Sequence, residues 1–289
     1  MLLKDFLPHP SVSQFVRLYR IVHFSFDNNL TSFPVKAYAP RPEQILAFFP
    51  YDTEKAEYKI SKRKMDHFRT TLTGQQLEVI NRAVARNILV IQIVFQPSGL
   101  YQLLGIPSYE LTNQYIDAAL VLTSDINFVN EQLYHAKSYD EMLKVAHNFV
   151  LSLIRKRAKD SHPLDRISKI ILRQDSRFSI DLLARESCCS HKQFERKFKE
   201  RVGVTPKLFS RVTRFDKAFI LKNKQPHLDW LTIAIQCGYY DYQHLVRDYK
   251  EFTGCSPTAF YEIENKSPER SLGLSEAWYR YAIEDQTFD

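Results

Sequence analysis

Two stretches of the chain repeat one pattern, and this repeat limits what the C-terminal part can fold into. SHKQFERKFKERVGVTPKLF at residues 190–209 aligns without a gap with DYQHLVRDYKEFTGCSPTAF at residues 241–260. The residues that coincide are Arg196/Arg247, Lys199/Lys250, Glu200/Glu251, Gly203/Gly254, Pro206/Pro257 and Phe209/Phe260. Two copies are too few for a solenoid, which needs at least about three repeats to bury a continuous core. The repeat therefore predicts a paired module.

Each copy is expected to be a helix, a tight turn and a second helix. Ser190 and Gln193 form a capping box for the second helix of the first copy, and Gly238 suits a turn because it takes positive φ at little cost. Thr205-Pro206 and Ser256-Pro257 each combine an N-cap with a proline at the first helical position. The residues expected to face inward in the first helices are Ile180, Leu183 and Ala184 in one copy and Leu231, Ile233 and Ala234 in the other.

A single helix of about 18 residues, from Pro206 to about Lys224, is predicted to join the two units. It would span about 27 Å, which is close to one turn of DNA at about 34 Å. Two units held in this way could enter successive major grooves on one face of a duplex. The cations on or beside this helix are expected to face phosphates or solvent: Lys207, Arg211, Arg214, Lys217, Lys222 and Lys224.

The outward-facing side chains of the two second helices, at about 190–200 and 241–251, have the chemistry of base readers. Arg can bond guanine O6 and N7 together, Gln can bond adenine N6 and N7, and Val can touch a thymine methyl group. The residues predicted to bind DNA are Ser190, His191, Lys192, Glu195, Arg196, Asp241, Tyr242, Gln243, Val246 and Arg247.

Positive charge is concentrated in the same part of the chain. Residues 155–222 hold 19 Lys and Arg against 8 Asp and Glu, whereas the whole chain has a net charge of +7. A local basic field attracts polyanions, of which nucleic acid is the commonest. A solvated charged face is the alternative explanation.

From about Leu164 to Tyr261 the sequence resembles the AraC/XylS family of bacterial transcription regulators. The resemblance lies in LLARESCCSHKQFERKFKERVGVTP and IAIQCGYYDYQHLVRDYKEFTGCSPTAFY. It departs from the family pattern at Cys188, where the first turn often has Gly, and at Leu245, which stands in an aromatic position. The resemblance implies double-stranded DNA as a partner, with RNA polymerase, a small-molecule effector and a second copy of the chain as further partners.

The first 150 residues predict a sheet-rich domain followed by helices. Residues 88–95, ILVIQIVF, indicate a buried strand, and helical periodicity begins at Gly99 and includes residues 113–122. FQPSGLYQLLGIPSYELTN resembles an uncharacterised N-terminal domain found before such DNA-binding modules. The expected fold class is an α+β N-terminal domain, with a β-barrel or sandwich that could be cupin-like plus helices, followed by an all-α domain with two helix-turn-helix units.

By analogy with the family, the N-terminal domain would sense an effector or dimerise. Tyr38, Arg41 and Glu43 are the candidate effector-binding residues, since small-molecule pockets combine aromatic walls with a few polar groups. Phe48 and Phe49 could join them, although an ordinary core position is favoured for both. The nature of the ligand does not follow from these residues.

The expected organisation is an N-terminal sensing or dimerisation domain at 1–157, a linker at 158–163, the DNA-binding domain at 164–263 and a tail at 264–289. The linker is placed by the polar run RKRAKDSHP. The tail is polar except near Trp278, so it could be loosely ordered or could dock onto the body.

No catalytic or metal-binding pattern is present in the sequence. It has no Gly-rich phosphate loop, G-x-S-x-G elbow or nucleophile-base pair, and neither the four cysteines nor His9, His23 and His67 have the spacing of a metal site. We expect no enzyme activity and no cofactor. The rival hypotheses are a nucleic-acid-modifying enzyme and a metal-dependent or sugar-processing cupin enzyme. Lys4 and Asp5 argue against a signal peptide, so a cytoplasmic location is expected.

Overall fold

The computed structural model describes residues 1–26, 35–66, 68–83, 85–122, 125–157, 161–173 and 180–281. His67, part of the predicted linker (158–160) and the end of the predicted tail (282–289) lie outside these residues. The strands are β1 (Leu2–Phe6), β2 (Val16–Ser25), β3 (Val35–Tyr38), β4 (Ile45–Phe48), β5 (Lys55–Tyr58), β6 (Lys64–Asp66), β7 (Thr70–Thr73), β8 (Ile80–Ala83), β9 (Asn87–Phe95) and β10 (Tyr115–Asp117). The helices are α1 (Gly99–Leu104), α2 (Asp125–His135), α3 (Tyr139–Arg157), α4 (Pro163–Arg173), α5 (Ile180–Glu186), α6 (His191–Val202), α7 (Pro206–Lys224), α8 (Trp230–Gln236), α9 (Tyr242–Thr253), α10 (Pro257–Asn265), α11 (Pro268–Ser271) and α12 (Leu274–Tyr281).

The N-terminal half is built on two antiparallel sheets. One has the order β1-β2-β9-β4-β7-β10 and the other the order β3-β8-β5-β6. Strand β9, which the run ILVIQIVF predicts, pairs with β2 on one side and β4 on the other. All of its residues after Asn87 are buried, as expected of a central strand with both faces covered.

Helices cover one face of the six-stranded sheet, and Leu272 and Leu274 cover part of the other. Ile91 and Ile93 belong to an apolar core shared with residues from α1, α2 and α3. On the opposite face Phe24, Phe49 and neighbouring residues form a smaller core, against which Leu272 packs. The α+β class predicted for this half is therefore confirmed, while a cupin-like form stays a prediction.

The helix predicted at residues 113–122 is wrong. Tyr115–Asp117 form the edge strand β10, which pairs with β7. The chain then makes a 3-10 turn at Ala118–Leu120, because the Asp117 side chain accepts a hydrogen bond from the amide of Ala119. Sheet pairing and this cap outweigh the helical spacing of the apolar residues, as tertiary contacts often do over local propensity.

The C-terminal half is helical, and its long helix α7 is part of two apolar cores. Phe209 lies in the core formed by α4, α5 and α6, whereas Phe215 and Phe219 lie in the core of α8, α9 and α10. The predicted bounds of α7 agree with the structure. Of the residues predicted to face inward, Ile233 is buried but Leu231 is 55% exposed. Leu231 lies two residues before Ile233, which is about 200° of rotation around the helix, so it points away from the buried face of α8.

The sheet domain contacts both helical cores. Val79 is fully buried in the second core, and Leu77 packs against both cores. The two halves of the chain therefore share apolar surface. Among the described residues, no helix is both long and apolar enough to cross a bilayer.

Buried ions also join the two halves. Glu43 accepts hydrogen bonds from Arg17 and Arg20, and the Nε of Arg41 lies 3.3 Å from Oδ1 of Asp216 on α7. Burial raises the pKa of Glu43, but Arg20, Arg17 and Arg41 outweigh it and hold that pKa well below its usual range.

The pKa of Asp216 is shifted in the opposite direction, above its usual range. Burial raises its pKa to about 6, Glu43 adds to the rise, and Arg41, Arg17 and Arg20 oppose it. Because the folded protein binds this proton more tightly than the unfolded chain, the associated stability is present below about pH 4 and is lost as the pH rises through about 6.

We expect Asp216→Asn to remove this pH dependence. Between pH 5 and 7 the wild-type protein should lose about 1 kcal/mol of stability relative to the variant, measured by urea unfolding at both pH values. Asp181→Asn is the control, since that carboxylate is exposed and its loss should leave the pH dependence as in the wild type. Equal slopes for wild type and Asp216→Asn would contradict the assignment.

Candidate nucleic-acid interface

Helix α6 presents polar side chains from its N-terminal half. Ser190 caps it, with its oxygen accepting from the amide of Gln193 and the Gln193 side chain accepting from the amide of Ser190. Phe194 and Phe198 are fully buried, which fixes the rotation of the helix about its axis. The predicted DNA-binding residues are placed on the remaining surface: Ser190, His191, Lys192 and Arg196 are exposed and Glu195 is half-buried.

Helix α9 repeats this arrangement. Asp241 caps it by accepting from the amide of His244, and Leu245 and Tyr249 are fully buried. Of the predicted DNA-binding residues, Gln243 and Arg247 are exposed, and Asp241, Tyr242 and Val246 are half-buried. Tyr242 also packs against the second core, so part of its ring has a structural role.

An ionic network that the sequence did not reveal connects α7 to α9. The guanidinium of Arg211 donates to Asp248 at 2.8 Å and also to Glu251, and Arg214 lies 3.4 Å from Asp248. Asp248 is buried, so this contact compensates a charge that would otherwise be costly to bury. The two cations were predicted to face phosphates or solvent, and the structure gives them internal partners instead.

Other cations on α7 also have internal contacts. Lys222 is buried and donates to the carbonyl oxygens of Pro226 and Leu228, and Lys217 donates to the carbonyl of Arg173. Lys207, at the start of α7, is exposed and remains a candidate phosphate contact. An open groove of about 710 Å³ between the two units is lined in part by Lys207 and Arg247.

Comparison with known families identifies the helical half. A helix-turn-helix domain model matches residues 183–262, the stretch from α5 to α10. Residues 183–262 form an AraC-type helix-turn-helix domain. A second model, of a domain of unknown function (DUF6597), matches residues 4–117. No curated protein matches the chain.

Among solved structures, ToxT from Vibrio cholerae is 14% identical over a match that covers 85% of this chain and 97% of ToxT, with a TM-score of 0.47. The DNA-binding domain of AdpA in complex with a target DNA is 23% identical, covering 36% of this chain and 95% of that domain, with a TM-score of 0.34. The AraC-like transcriptional activator CuxR is 14% identical, covering 73% of this chain and 84% of CuxR, with a TM-score of 0.26.

The N-terminal domain holds the C-terminal end of α6. The amide of Gln44 donates to the carbonyl oxygen of Val202 at 3.1 Å, and Thr112 donates to the carbonyl oxygen of Gly203 at 2.9 Å. Gly203 has φ +101°, and a Cβ there would lie 3.0 Å from the Thr112 hydroxyl. Glycine permits both the helix end and this close approach.

The same domain holds α9 at the equivalent place. The ammonium of Lys59 donates to the carbonyl oxygen of Thr253 at 2.8 Å. Val202 and Thr253 occupy matching positions in the sequence repeat, each directly before its C-cap glycine. We call these two contacts, Gln44 to Val202 and Lys59 to Thr253, the paired carbonyl clamp. Sequence reasoning missed it, because Gln44 and Lys59 carry no local signal of so distant a partner.

The predicted effector-binding residues Tyr38, Arg41 and Glu43 come together at one cavity of about 110 Å³. The Tyr38 hydroxyl donates to Glu269 at 3.1 Å, and Arg41 lies 4.5 Å from the ring centroid of Trp278. The predicted tail thus docks onto the body near these residues. Among the described residues, no three His, Cys, Asp or Glu side chains are placed to share a metal ion.

We expect Ser190→Ala to destabilise the start of α6 by about 1 kcal/mol, because the amide of Gln193 loses the side-chain oxygen that accepts from it. Hydrogen exchange of residues 190–196 should accelerate in that variant. Ser190→Asp keeps a capping oxygen and adds a charge that the helix N-terminus favours, so its exchange should stay close to the wild type. Equal acceleration in both variants would show that the cap contributes nothing.

Proposed function

We propose that the chain recognises a bipartite DNA site by placing α6 and α9 in successive major grooves. The observation that supports this most directly is the equivalent exposure of Arg196 and Arg247. Both lie at the same position of the repeat, in the N-terminal half of a capped helix, and both are exposed. That half of a recognition helix is the part that contacts base edges.

The geometry of α7 supports two simultaneous contacts. Its 19 residues correspond to about 28 Å, and its aromatic side chains anchor one unit near each end. Successive major grooves on one face of DNA lie about 34 Å apart. The remaining predicted contacts, including His191 and Gln243, would add base or phosphate interactions around the two arginines.

The N-terminal domain controls binding in this proposal by setting the relative position of the two recognition helices. The paired carbonyl clamp supports this role, because it joins the N-terminal domain to equivalent atoms of both units. An effector in the cavity beside Tyr38, Arg41 and Glu43 would change this control. RNA polymerase and a second copy of the chain are further proposed partners, and a cytoplasmic location is part of the proposal.

Selection of double-stranded DNA from a random pool by the full chain tests the proposal. The selection should use near-physiological salt, because phosphate contacts alone lose much of their affinity there. A motif with two halves about one helical turn apart is the expected result. Binding only at low salt, with no motif, would mean that the basic region is an electrostatic anchor and that specificity does not arise from α6 and α9.

We expect Arg247→Ala to relax specificity at one base position and to cost about 1 to 3 kcal/mol of binding free energy. Arg196→Ala should do the same in the other half of the site. Lys207→Ala is the control: it should weaken binding to all sequences alike and reduce the salt slope by about 1. Binding titrations against single-base variants of the selected site would measure both effects. Uniform weakening by Arg247→Ala would make Arg247 a phosphate contact.

Loss of the paired carbonyl clamp is expected to loosen the spacing requirement of the DNA site. We predict that the double variant Gln44→Ala, Lys59→Met binds sites with one or two base pairs inserted between the halves nearly as well as the original site, whereas the wild type discriminates among them. Lys55→Met is the control, since Lys55 is exposed on the strand that precedes Lys59. Unchanged discrimination in the double variant would remove the clamp from the mechanism.

A further inference from the structure

The two helix-turn-helix units differ strongly in charge. Helix α6 has five Lys and Arg against two Glu, whereas α9 has two Lys and Arg against one Asp and one Glu. Helix α10, which follows α9, adds two Glu and no cation. Lys and Arg contacts to phosphates supply most of the sequence-independent part of DNA binding. The second unit therefore has few cations of its own for that purpose.

A group of cations from the N-terminal domain lies beside the second unit. Residues 59–64, KISKRK, connect β5 to β6 and contain four Lys and Arg and no carboxylate; we call them the basic turn. Its first residue, Lys59, donates to the carbonyl oxygen of Thr253 at 2.8 Å and to Sγ of Cys255 at 3.2 Å. The basic turn is thus fixed at the C-terminal end of α9.

The backbone of the basic turn is ordered by hydrogen bonds. The amides of Ile60 and Ser61 donate to Oε2 of Glu78 at 2.8 and 3.0 Å. The amide of Lys62 donates to the carbonyl oxygen of Tyr58 at 3.0 Å. A segment that is ordered before it binds loses less conformational entropy on binding. The turn therefore presents its side chains from a fixed support.

Two of the four cations hold the turn in place, and two remain available. Arg63 donates to Oε1 of Gln114 at 2.9 Å, and its guanidinium lies 4.4 Å from the ring centroid of Tyr58. Lys62 and Lys64 are exposed, and neither forms an ion pair with a carboxylate of the described residues. These two ammonium groups are free to meet an external anion.

The position of the basic turn suits the phosphates around α9. Thr253 lies six residues after Arg247, which is about 9 Å along the helix axis. Because the N-terminal half of a recognition helix contacts base edges, the end with Thr253 lies toward the rim of the groove. The major groove is about 12 Å wide and is bounded by phosphates. Charges act over about 8 Å at physiological salt, so the turn is within reach of that rim.

We propose that the basic turn is a third DNA-contacting element, in which Lys62 and Lys64 bind phosphates beside the half-site that α9 reads. This inference rests on the proposed function, in which α9 enters a major groove. The turn supplies to the second half-site the positive charge that α6 supplies to the first. The N-terminal domain then contributes directly to DNA affinity, in addition to positioning the two helices.

The first test measures the salt dependence of binding by the full chain to its selected DNA site. The double variant Lys62→Gln, Lys64→Gln keeps Lys59 and therefore keeps the paired carbonyl clamp. We expect the slope of log affinity against log salt concentration to decrease in magnitude by about 2, since each phosphate contact contributes about 0.9. A slope equal to that of the wild type overturns the proposal.

The matched control is the double variant Lys137→Gln, Lys144→Gln. Both lysines are exposed, one directly before α3 and the other on it, in the layer of helices that covers the six-stranded sheet. This variant loses the same net charge, so it reproduces any effect of overall charge on binding. Its slope should stay close to that of the wild type. An equal decrease in both double variants is a general charge effect and overturns the local contact.

A second test locates the contact on the DNA. The half-site read by α9 is the one in which Arg247→Ala relaxes specificity. Uncharged methylphosphonates replace the phosphates beside that half in one duplex and beside the other half in a second duplex. Replacement beside the α9 half should weaken the wild type at least fivefold more than the variant Lys62→Gln, Lys64→Gln, and replacement beside the α6 half should weaken both alike. Additive losses at the α9 half show no coupling and overturn the proposal.

The variant Lys62→Arg, Lys64→Arg should restore the wild-type slope, because Arg keeps the charge and also binds phosphate. A slope that stays low in this variant overturns the role of charge at the turn. Selection of DNA by the wild type separates the two levels of the argument. A bipartite motif with an unchanged slope in Lys62→Gln, Lys64→Gln refutes this inference alone, whereas the absence of any motif refutes the proposed recognition and this inference with it.

Discussion

The burial of one helix in two apolar cores determines the arrangement of the DNA-binding units. Phe209 anchors α7 in the first core, and Phe215 and Phe219 anchor it in the second. Fully buried aromatic side chains each stabilise a core by several kcal/mol, so neither unit can rotate about α7 without losing this packing. The ion pairs of Arg211 and Arg214 with buried Asp248 oppose the same movement. Each recognition helix is therefore packed against α7 at its own end, and the paired carbonyl clamp adds a second connection between them through the N-terminal domain.

Local signals made much of the helical half predictable. These signals are the capping box at Ser190, the proline at position 206 and the glycines at 203 and 254. Each one affects only the residues a few positions away, so its effect can be predicted from a single sequence. The repeat added a second copy of each signal, which gave the bounds of α7 and the exposed positions of α6 and α9. The strand β9 was predictable for a similar reason, because an unbroken β-branched run suits a central strand.

Interactions between distant parts of the chain were not predictable. The paired carbonyl clamp, the partners of Arg211 and the docking of Glu269 and Trp278 each join residues far apart in sequence, and no local pattern specifies such pairs. The error at residues 113–122 has the same origin, since an edge strand depends on β7 and not on its own periodicity. The sequence predicted that Tyr38, Arg41 and Glu43 line one site. It did not predict that Glu269 and Trp278 line the same cavity, because their position there depends on the folded structure.

The paired carbonyl clamp has a consequence for how this protein can diverge. It binds backbone oxygen atoms at the ends of α6 and α9, and every amino acid supplies the same oxygen. Side chains near the beginnings of these helices can therefore be exchanged without disturbing the junction between the domains. A descendant of this protein could acquire a new set of operators through a few substitutions and still inherit the original connection to its N-terminal domain.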